Sequence, residues 1–248
     1  MVRRITMEKL SLLIPMNGSG ERFVKHSSRP KPLIKIHDRE MIFWLLDHLD
    51  LHRITQVVIP YNSILDQYNF REKIIARYPK TLFRLISLSE RTSGAVETIS
   101  VALSHLPEHE LDSNFMIMDC DTFYYEDVIK LYASRDVKNA IFYFSDFGSE
   151  ELFSYIKVEN GRVKEIKEKE KISDFANCGI FCVKDGDGLK KYCSMLLSNG
   201  VRQKGEFYTS GIFDLMIKDG ISVVPIEVKK FECVGTPKQL DNFVRREA

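Results

Sequence analysis

The sequence predicts an α/β fold with a mainly parallel sheet, on two observations. Over roughly the first 140 residues, short apolar runs alternate with segments of helical periodicity, an order that is typical of crossover units. After Ala140 the pattern changes to closely spaced strand-like runs, with Asn160-Gly161, a hairpin dipeptide, between two of them. We therefore expect a single Rossmann-like domain over residues 1–248, with a mixed, mainly parallel sheet flanked by helices and an inserted antiparallel lobe.

Composition limits the kinds of partner that the chain binds. Its 36 basic and 35 acidic side chains leave a net charge of +1, so no overall field attracts nucleic acid or an anionic membrane. No apolar run reaches the roughly 18 to 20 residues of a membrane span. Five cysteines without a CxxC pair are typical of a reducing compartment, and a cytoplasmic protein is predicted. Residues 1–9 are interpreted as a loose leader.

Periodicity predicts the elements in chain order, beginning with a strand-like apolar run that ends at Asn17. In the first half, helices are expected at 41–49, 63–78 and 95–106, and strands at 56–60, 83–88 and 115–118. In the second half, four strand-like runs, IFYFS, YIKVE, VKEIKE and FANCGIFCV, precede a helix that ends near 218–220, a strand at 221–225 and a C-terminal helix at 237–248.

The first strand ends in a loop that suits a phosphate group. Gly18 and Gly20 permit backbone angles closed to other residues, so that successive N–H groups can turn toward an anion. A Walker loop is excluded because Gly20 is followed by Glu21-Arg22, and a dinucleotide fingerprint is excluded because Phe23 stands where the third glycine belongs. An ordinary turn after a strand is the alternative interpretation.

Lys31 is held between two prolines. Pro30 fixes its own φ, and Pro32 disfavours the helical region for the lysine, so the backbone of Lys31 is restrained from both sides. The position of the ammonium group is therefore partly fixed before a ligand binds. Together with Arg22 it supplies positive charge beside the glycine loop; a solvated loop lysine is the alternative.

A second polar loop follows the third strand and leads into a helix. It comprises Thr92, Ser93, Gly94 and Ala95. Unpaired N–H groups at a helix N-terminus are available to a ligand. The same residues are explained equally well as a helix cap made by Thr92 or Ser93, with Glu97 favourably placed in the first turn.

Two aspartates follow the strand at 115–118. In extended chain Asp119 and Asp121 point the same way, and two carboxylates aimed together repel each other unless a cation lies between them. Mg²⁺ commonly takes one or two carboxylates plus substrate phosphates. The pair predicts a magnesium site, with an acidic turn as the alternative.

These motifs, in this order, resemble those of nucleotidyltransferases that act on sugar 1-phosphates. The resemblance rests on Gly-x-Gly-x-Arg, Pro-Lys-Pro-Leu, the second loop, the strand-end aspartate, Asn-x-Gly, Gly-Glu-Phe-Tyr and Val-Gly-Thr-Pro, and it spans residues 11–243. It implies a GT-A-like fold, with a nucleotide-binding part at about 10–140 and an acceptor-binding part at about 141–236.

The resemblance also implies roles for individual residues. Lys31 and Arg22 would be catalytic, and Asp121, helped by Asp119, would hold Mg²⁺. The nucleotide would contact Pro15, Met16, Asn17, Gly18, Ser19, Gly20, Thr92, Ser93, Gly94 and Ala95. The acceptor would contact Lys169, Asn177, Gly179, Glu206 and Tyr208.

The implied reaction joins a nucleoside triphosphate to a small phosphorylated acceptor and releases pyrophosphate, making an activated precursor for surface polysaccharide or glycoconjugates. Many family members carry a metal-binding aspartate where this chain has Cys233, and a thiol is a poor magnesium ligand. Three alternatives stay open: a cytidylyltransferase for an alcohol, amine or amide phosphate, a glycosyltransferase that uses Asp119 and Asp121, and a nucleotide sensor. The base, the acceptor and a homo-oligomeric state are left undetermined.

Overall fold

The computed structural model describes residues 9–135, 137–200, 202–203 and 205–247, so the predicted leader lies outside them except for Lys9. The strands are β1 (Leu10–Leu13), β2 (Lys35–Ile36), β3 (Arg39–Glu40), β4 (Gln56–Asn62), β5 (Phe83–Leu88), β6 (Asn114–Met118), β7 (Thr122–Tyr124), β8 (Ala140–Ser145), β9 (Ser154–Glu159), β10 (Arg162–Glu168), β11 (Phe175–Val183), β12 (Val224–Glu227) and β13 (Phe231–Cys233). The helices are α1 (Met41–Asp47), α2 (Phe70–Arg77), α3 (Ala95–Ser104), α4 (Glu108–Leu111), α5 (Val128–Ala133), α6 (Gly186–Asn199), α7 (Thr209–Lys218) and α8 (Pro237–Arg246).

One mixed sheet runs through the described residues in the order β10-β9-β11-β6-β1-β4-β5, with β8 beside β11 and β12 beside β8. The strands β6, β1, β4 and β5 are parallel to their neighbours within this group. Beyond β6, the pairs β11-β6, β11-β8 and β10-β9 are antiparallel. The predicted α/β fold, with an antiparallel extension after residue 140, is confirmed.

Helices cover both faces of the sheet because its central strands are apolar on both sides. Consecutive residues of β1 enter different cores: Leu12 belongs to the core that includes α1, α2 and α5, and Leu13 to the core that includes α3, α6 and α7. Alternating side chains of a strand point to opposite faces, which explains the continuous apolar run.

A third, smaller core lies under the loops that follow β1. Phe23 and Ile34 pack there with Phe123 from β7 and Phe243 from α8, and all four are nearly inaccessible to solvent. These contacts hold the glycine loop and the Pro-Lys-Pro segment against the turn after β6.

Three local predictions differ from the structure. The helix expected at 63–78 is divided into a 3₁₀ turn (Ser63–Tyr68) and α2, because Asn69 between them adopts a left-handed conformation with φ of 55°. The strand expected at 221–225 lies at Val224–Glu227. Residues 120–121 form a turn rather than extended chain. Within the described residues, none of the helices is long and apolar enough to cross a membrane.

Candidate active site

The site lies at the carboxyl ends of β1, β4 and β6, where parallel-sheet proteins bind ligands. β1 is continued by Met16, whose N–H donates to the carbonyl of Pro60 (2.8 Å) and whose carbonyl accepts from Asn62 (3.3 Å). The Met16 side chain is buried in the core. Both backbone groups of Met16 are thus used by the sheet, and its contact with the nucleotide stays a prediction; Pro15, half-buried, has no N–H to offer.

Gly20 fits its position for two physical reasons. Its φ is +64°, in the left-handed region that favours glycine, and a Cβ there would lie 3.1 Å from Cβ of Lys31. The loop thus packs directly on the catalytic candidate. Gly18 and Ser19 are exposed, and the Ser19 hydroxyl donates to Glu21 (3.1 Å).

Lys31 and Asp121 form an ion pair between Nζ and Oδ2, and their side chains retain 21% and 17% of their exposure. Burial alone would lower the pKa of Lys31, but the carboxylate of Asp121 raises it above its ordinary value. Burial would likewise raise the pKa of Asp121, yet the ammonium of Lys31 holds it below its ordinary value. The pair is charged near neutral pH, and the structure brings the predicted lysine and metal aspartate together.

Asp119 lies beside this pair. Its N–H donates to the carbonyl of Gly179 (3.1 Å), and a Cβ on Gly179 would come within 3.0 Å of Asp119 Oδ2. Burial, reinforced by the charge of Asp121, raises the pKa of Asp119 to about 7. The two carboxylates approach each other through a turn, although the sequence pattern predicted extended chain.

Gly235 and Cys233 enclose Asp121 on its other side. A Cβ on Gly235 would lie 2.7 Å from Asp121 Oδ2, and the N–H of Val234 donates to the carbonyl of Asp121 (2.8 Å). Burial raises the pKa of the Cys233 thiol to about 11, so it stays protonated. The adjacent Glu232 pairs instead with Arg246 (2.6 Å).

The side chains at this site offer enough oxygen ligands for Mg²⁺ only when a substrate supplies phosphate oxygens as well. Among the described residues there is no group of three or more His, Cys, Asp or Glu side chains suited to a metal. Asp119 and Asp121 are hard oxygen donors, and Mg²⁺ commonly binds through one or two carboxylates plus phosphate oxygens. Cys233 does not complete the set, because a protonated thiol is a poor ligand for this ion.

The first and second loops are joined by Asn17. Its Nδ2 donates to the carbonyl of Glu90 (2.9 Å) and to Oγ1 of Thr92 (3.3 Å). Glu97 accepts a hydrogen bond from the N–H of Ser93 (2.5 Å), but the N-cap residue of α3 is Gly94 and no side chain caps the helix, so the predicted cap by Thr92 or Ser93 is not formed. The Ser93 N–H is therefore already bonded, and Gly94 and Ala95 carry the next N–H groups of this loop.

Gly94 is held against the segment before α7. The carbonyl of Ser93 accepts from the N–H of Phe207 (3.1 Å), and the carbonyl of Phe207 accepts from Val96 (3.2 Å). A Cβ on Gly94 would lie 2.7 Å from the backbone N and O of Phe207, and φ of Gly94 is +134°. The second polar loop and the segment before α7 are thereby in direct contact.

Gly94→Ala is expected to lower the free energy of unfolding by roughly 3 kcal/mol or more, because it combines backbone strain with a clash against immobile backbone. Gly200→Ala is the matched control, since φ there is +67° with open space around the added methyl group. We expect the control to cost only about 1 kcal/mol. Urea unfolding of both variants measures the difference, and equal losses would contradict the close packing.

Lys169 and Tyr208 meet on the antiparallel side of the sheet. Lys169 has φ of 51°, and its Nζ donates to the Tyr208 hydroxyl (2.7 Å). Nζ also lies 3.7 Å from Glu168, whose buried carboxylate accepts hydrogen bonds from Ser154 and Ser210. Glu168 also acts electrostatically on Asp119 and helps to raise its pKa, which connects this cluster to the aspartates.

Two residues predicted to contact the acceptor differ in burial. The Asn177 amide donates to the carbonyls of Phe142 (2.9 Å) and Ile180 (3.1 Å), and its oxygen accepts from Gly179 (2.9 Å). Asn177 is buried and positions Gly179 through these bonds, and its contact with the acceptor stays a prediction. Glu206 is exposed, and its backbone pairs with Gln203.

Three arginines lie beside the two polar loops. Arg22 is exposed on a 3₁₀ turn (Glu21–Phe23), and no ion pair to it is found among the described residues. Arg91 pairs with Glu21 (2.7 Å) across the two loops, and Arg202 donates to Ser93 Oγ (3.3 Å). Sequence reasoning missed Arg202 because no motif marks it; the position of Arg91 directly before the second loop was a usable signal.

No protein-family model matches the chain, and no curated protein matches it by sequence. A nucleoside-diphosphate-sugar pyrophosphorylase from Vibrio cholerae RC9 superposes with a TM-score of 0.80 at 19% identity, over 94% of this chain and 99% of the other.

Two further solved structures agree. The inositol-1-phosphate CTP transferase from T. maritima has a TM-score of 0.76 at 13% identity, over 96% of this chain and 94% of the other. A UDP-glucose pyrophosphorylase complexed with UDP-glucose has a TM-score of 0.77 at 15% identity, over 96% of this chain and 98% of the other. The resemblance read from the motifs is confirmed for the fold: the chain is built on the same α/β fold as these nucleotidyltransferases.

Proposed function

We propose that the protein is a nucleotidyltransferase, which joins a nucleoside triphosphate to a small phosphorylated acceptor and releases pyrophosphate. The observation that carries the proposal is the contact between Lys31 and Asp121 beneath the Gly18–Gly20 loop. A glycosyltransferase that uses Asp119 and Asp121 has no need for a lysine fixed between prolines at this point. The names of the proteins that share the fold support the same reaction class.

In this mechanism an oxygen of the acceptor phosphate attacks the α-phosphorus of the triphosphate. The new P–O bond forms as the bond from the α-phosphorus to the α,β-bridging oxygen breaks, and pyrophosphate leaves with that electron pair. Backbone N–H groups of Gly18–Gly20, with Arg22, hold the triphosphate. No side chain acts as a nucleophile. The rate acceleration therefore comes from positioning the substrates and stabilising the charge on the phosphates.

Lys31 stabilises charge on the reacting phosphate. In the ligand-free chain its ammonium is neutralised by Asp121, and substrate phosphates take over as its partner when they bind. Asp121 and Asp119 are the residues that would hold Mg²⁺. When bound, the ion supplies electrostatic stabilisation of phosphate charge.

The acceptor lies on the antiparallel side in this proposal. Lys169, beside Tyr208, offers positive charge for a phosphate, and Glu168 can accept hydrogen bonds from hydroxyl groups. A sugar 1-phosphate or a similar polyol phosphate has both features. The product would be an activated precursor for surface polysaccharide or glycoconjugate synthesis in the cytoplasm.

A preferred triphosphate with Mg²⁺ is expected to raise the melting temperature, because a ligand that binds only the native state stabilises it by about 2.7 kcal/mol at a hundredfold excess over its Kd. Removal of Mg²⁺ with EDTA should abolish most of this shift. The same triphosphate should release pyrophosphate in a panel of sugar, polyol and alcohol phosphates. Sugar transfer from a nucleotide sugar, without pyrophosphate release from any triphosphate, would support the glycosyltransferase instead.

A further inference from the structure

A chain of hydrogen bonds runs from the start of the Gly18–Gly20 loop to the second polar loop. Asn17 Nδ2 donates to Thr92 Oγ1 (3.3 Å), and this oxygen lies 2.6 Å from Oγ1 of Thr98. Thr98 Oγ1 in turn donates to the carbonyl of Gly94 (3.1 Å). Asn17 and Thr98 are each 2% exposed. We call this chain of four groups the loop relay.

The two ends of the loop relay determine the direction of its bonds. An amide nitrogen only donates, and a carbonyl oxygen only accepts. The carbonyl of Glu90, which accepts from Asn17 Nδ2 (2.9 Å), fixes the orientation of that amide. Because Thr98 gives its single hydrogen to Gly94, Thr92 supplies the hydrogen between the two threonines. Each hydroxyl group in the loop relay therefore donates one hydrogen bond and accepts one.

The far end of the loop relay fixes the direction of one backbone N–H group. The carbonyl of Gly94 belongs to the same planar peptide unit as the N–H of Ala95. Thr98 holds this carbonyl with its hydroxyl group and with its own N–H (3.2 Å). The Ala95 N–H is the first of α3, so it has no acceptor within the helix. The nearby N–H groups of Ser93 and Val96 are already bonded within the protein.

The bonding of Thr98 goes beyond what a helix requires. A threonine that bonds the carbonyl four residues earlier is common in helices. Thr98 also accepts from Thr92, which lies outside α3, and Thr92 accepts from Asn17 on the other loop. A movement of one loop relative to the other therefore breaks a bond of the loop relay.

We propose that Thr98 is a positioning residue for the nucleotide, which uses the loop relay to hold the Ala95 N–H and the Gly18–Gly20 loop in the relative position that a triphosphate requires. The inference rests on the proposed function, in which both loops contact the nucleotide. Thr98 is buried and acts only through Thr92 and Gly94. A site that is ordered before binding loses less conformational freedom when the ligand arrives, which increases the affinity.

Another relay of the same chemistry offers a matched control. Gln56 Nε2 donates to Ser11 Oγ (3.2 Å), and this oxygen lies 2.8 Å from Oγ of Ser113. Ser113 donates in turn to the carbonyl of Glu110 (2.9 Å). All three side chains are buried at the amino ends of β1, β4 and β6, opposite the proposed site. Ser113→Ala thus breaks an equivalent relay at a distance from both loops.

Calorimetric titration with Mg²⁺ and whichever of CTP, ATP, UTP and GTP binds the wild-type protein most tightly tests the proposal. Thr98→Val keeps the shape of the side chain and removes the hydroxyl group. It should weaken binding by about tenfold to a hundredfold, since small displacements of positioning groups have effects of this size. Thr98→Ser should retain most of the affinity, and Ser113→Ala should leave it unchanged. Unchanged affinity in Thr98→Val, or an equal loss in Ser113→Ala, would overturn the proposal.

Pyrophosphate release is scored separately from binding. Thr98→Val should raise the KM for the triphosphate much more than it lowers kcat, because Thr98 does not contact the reacting atoms. A wild-type protein that binds a triphosphate and releases no pyrophosphate would contradict the proposed function and leave the positioning role intact. Normal turnover with unchanged affinity in Thr98→Val would contradict the positioning role alone.

Hydrogen exchange tests the loop relay in the wild-type protein, so the proposal can fail even where Thr98→Val does not fold. The side-chain amide hydrogens of Asn17 should exchange much more slowly than those of the exposed Asn242, as measured by nuclear magnetic resonance. Exchange at Asn17 as fast as at Asn242 would show that the two loops are not held together and would overturn the proposal.

Discussion

Lys31→Ala is expected to reduce the rate of pyrophosphate release by about a hundredfold or more while the protein stays folded. Removal of one preorganised charge at a reacting centre costs roughly 3–4 kcal/mol in the barrier. The fold survives because Asp121, freed of its partner, can take up a proton or a cation. Steady-state kinetics with the preferred triphosphate measure the loss, and far-ultraviolet circular dichroism checks the fold.

Lys35→Ala is the control for Lys31→Ala. Lys35 is exposed on β2, four residues further along the same segment, and no ion pair to it is found in the described part of the chain. We expect its rate to stay within about twofold of wild type, as surface substitutions have small effects. Near-normal turnover by Lys31→Ala would reject the role assigned to the lysine.

Asp121→Leu should lose turnover at least as severely and should also destabilise the protein. It leaves the Lys31 ammonium largely buried without a partner. Breaking a buried pair costs about 3–5 kcal/mol, and we expect about 3 kcal/mol here because each side chain keeps about a fifth of its exposure, 21% and 17%. Urea unfolding gives the stability, and pyrophosphate release gives the activity.

The double variant Lys31→Met, Asp121→Leu separates stability from function. Replacing both charges with apolar side chains of similar volume should restore most of the unfolding free energy, since neither charge is left unpaired. Turnover should stay as low as in the single variants. A double variant that is as unstable as Asp121→Leu, or one that regains turnover, would contradict the assigned roles.

Sequence reasoning was most reliable where a residue type is demanded by local geometry. Lys31 between prolines and Gly20 before Glu21-Arg22 were recognised as parts of one site, and both lie against each other in the structure. It says little about side chains whose bonding depends on distant segments. The resemblance implied that Asn177 contacts the acceptor, and only the structure shows that its amide bonds backbone groups of β8 and β11.

The pairing at the end of the first strand was not predicted either. A parallel bridge to Tyr61 of β4 continues the pairing of β1 to Met16. The turn at residues 120–121 was not visible in a pattern that fits extended chain equally well. Pairing partners decide both features, and those partners lie more than forty residues away.

The sequence by itself determined the α/β class, the order of the motifs and the residues that bear charge, because periodicity and backbone restraint act over a few neighbouring positions. Only the tertiary structure decided which charges meet: the Lys31–Asp121 pair, the approach of Asp119 to Gly179, and the union of the two nucleotide loops through Asn17. These contacts join positions far apart in the chain. Electrostatic and hydrogen-bond energies depend on the distance through space and on burial, which follow from the packing of the sheet.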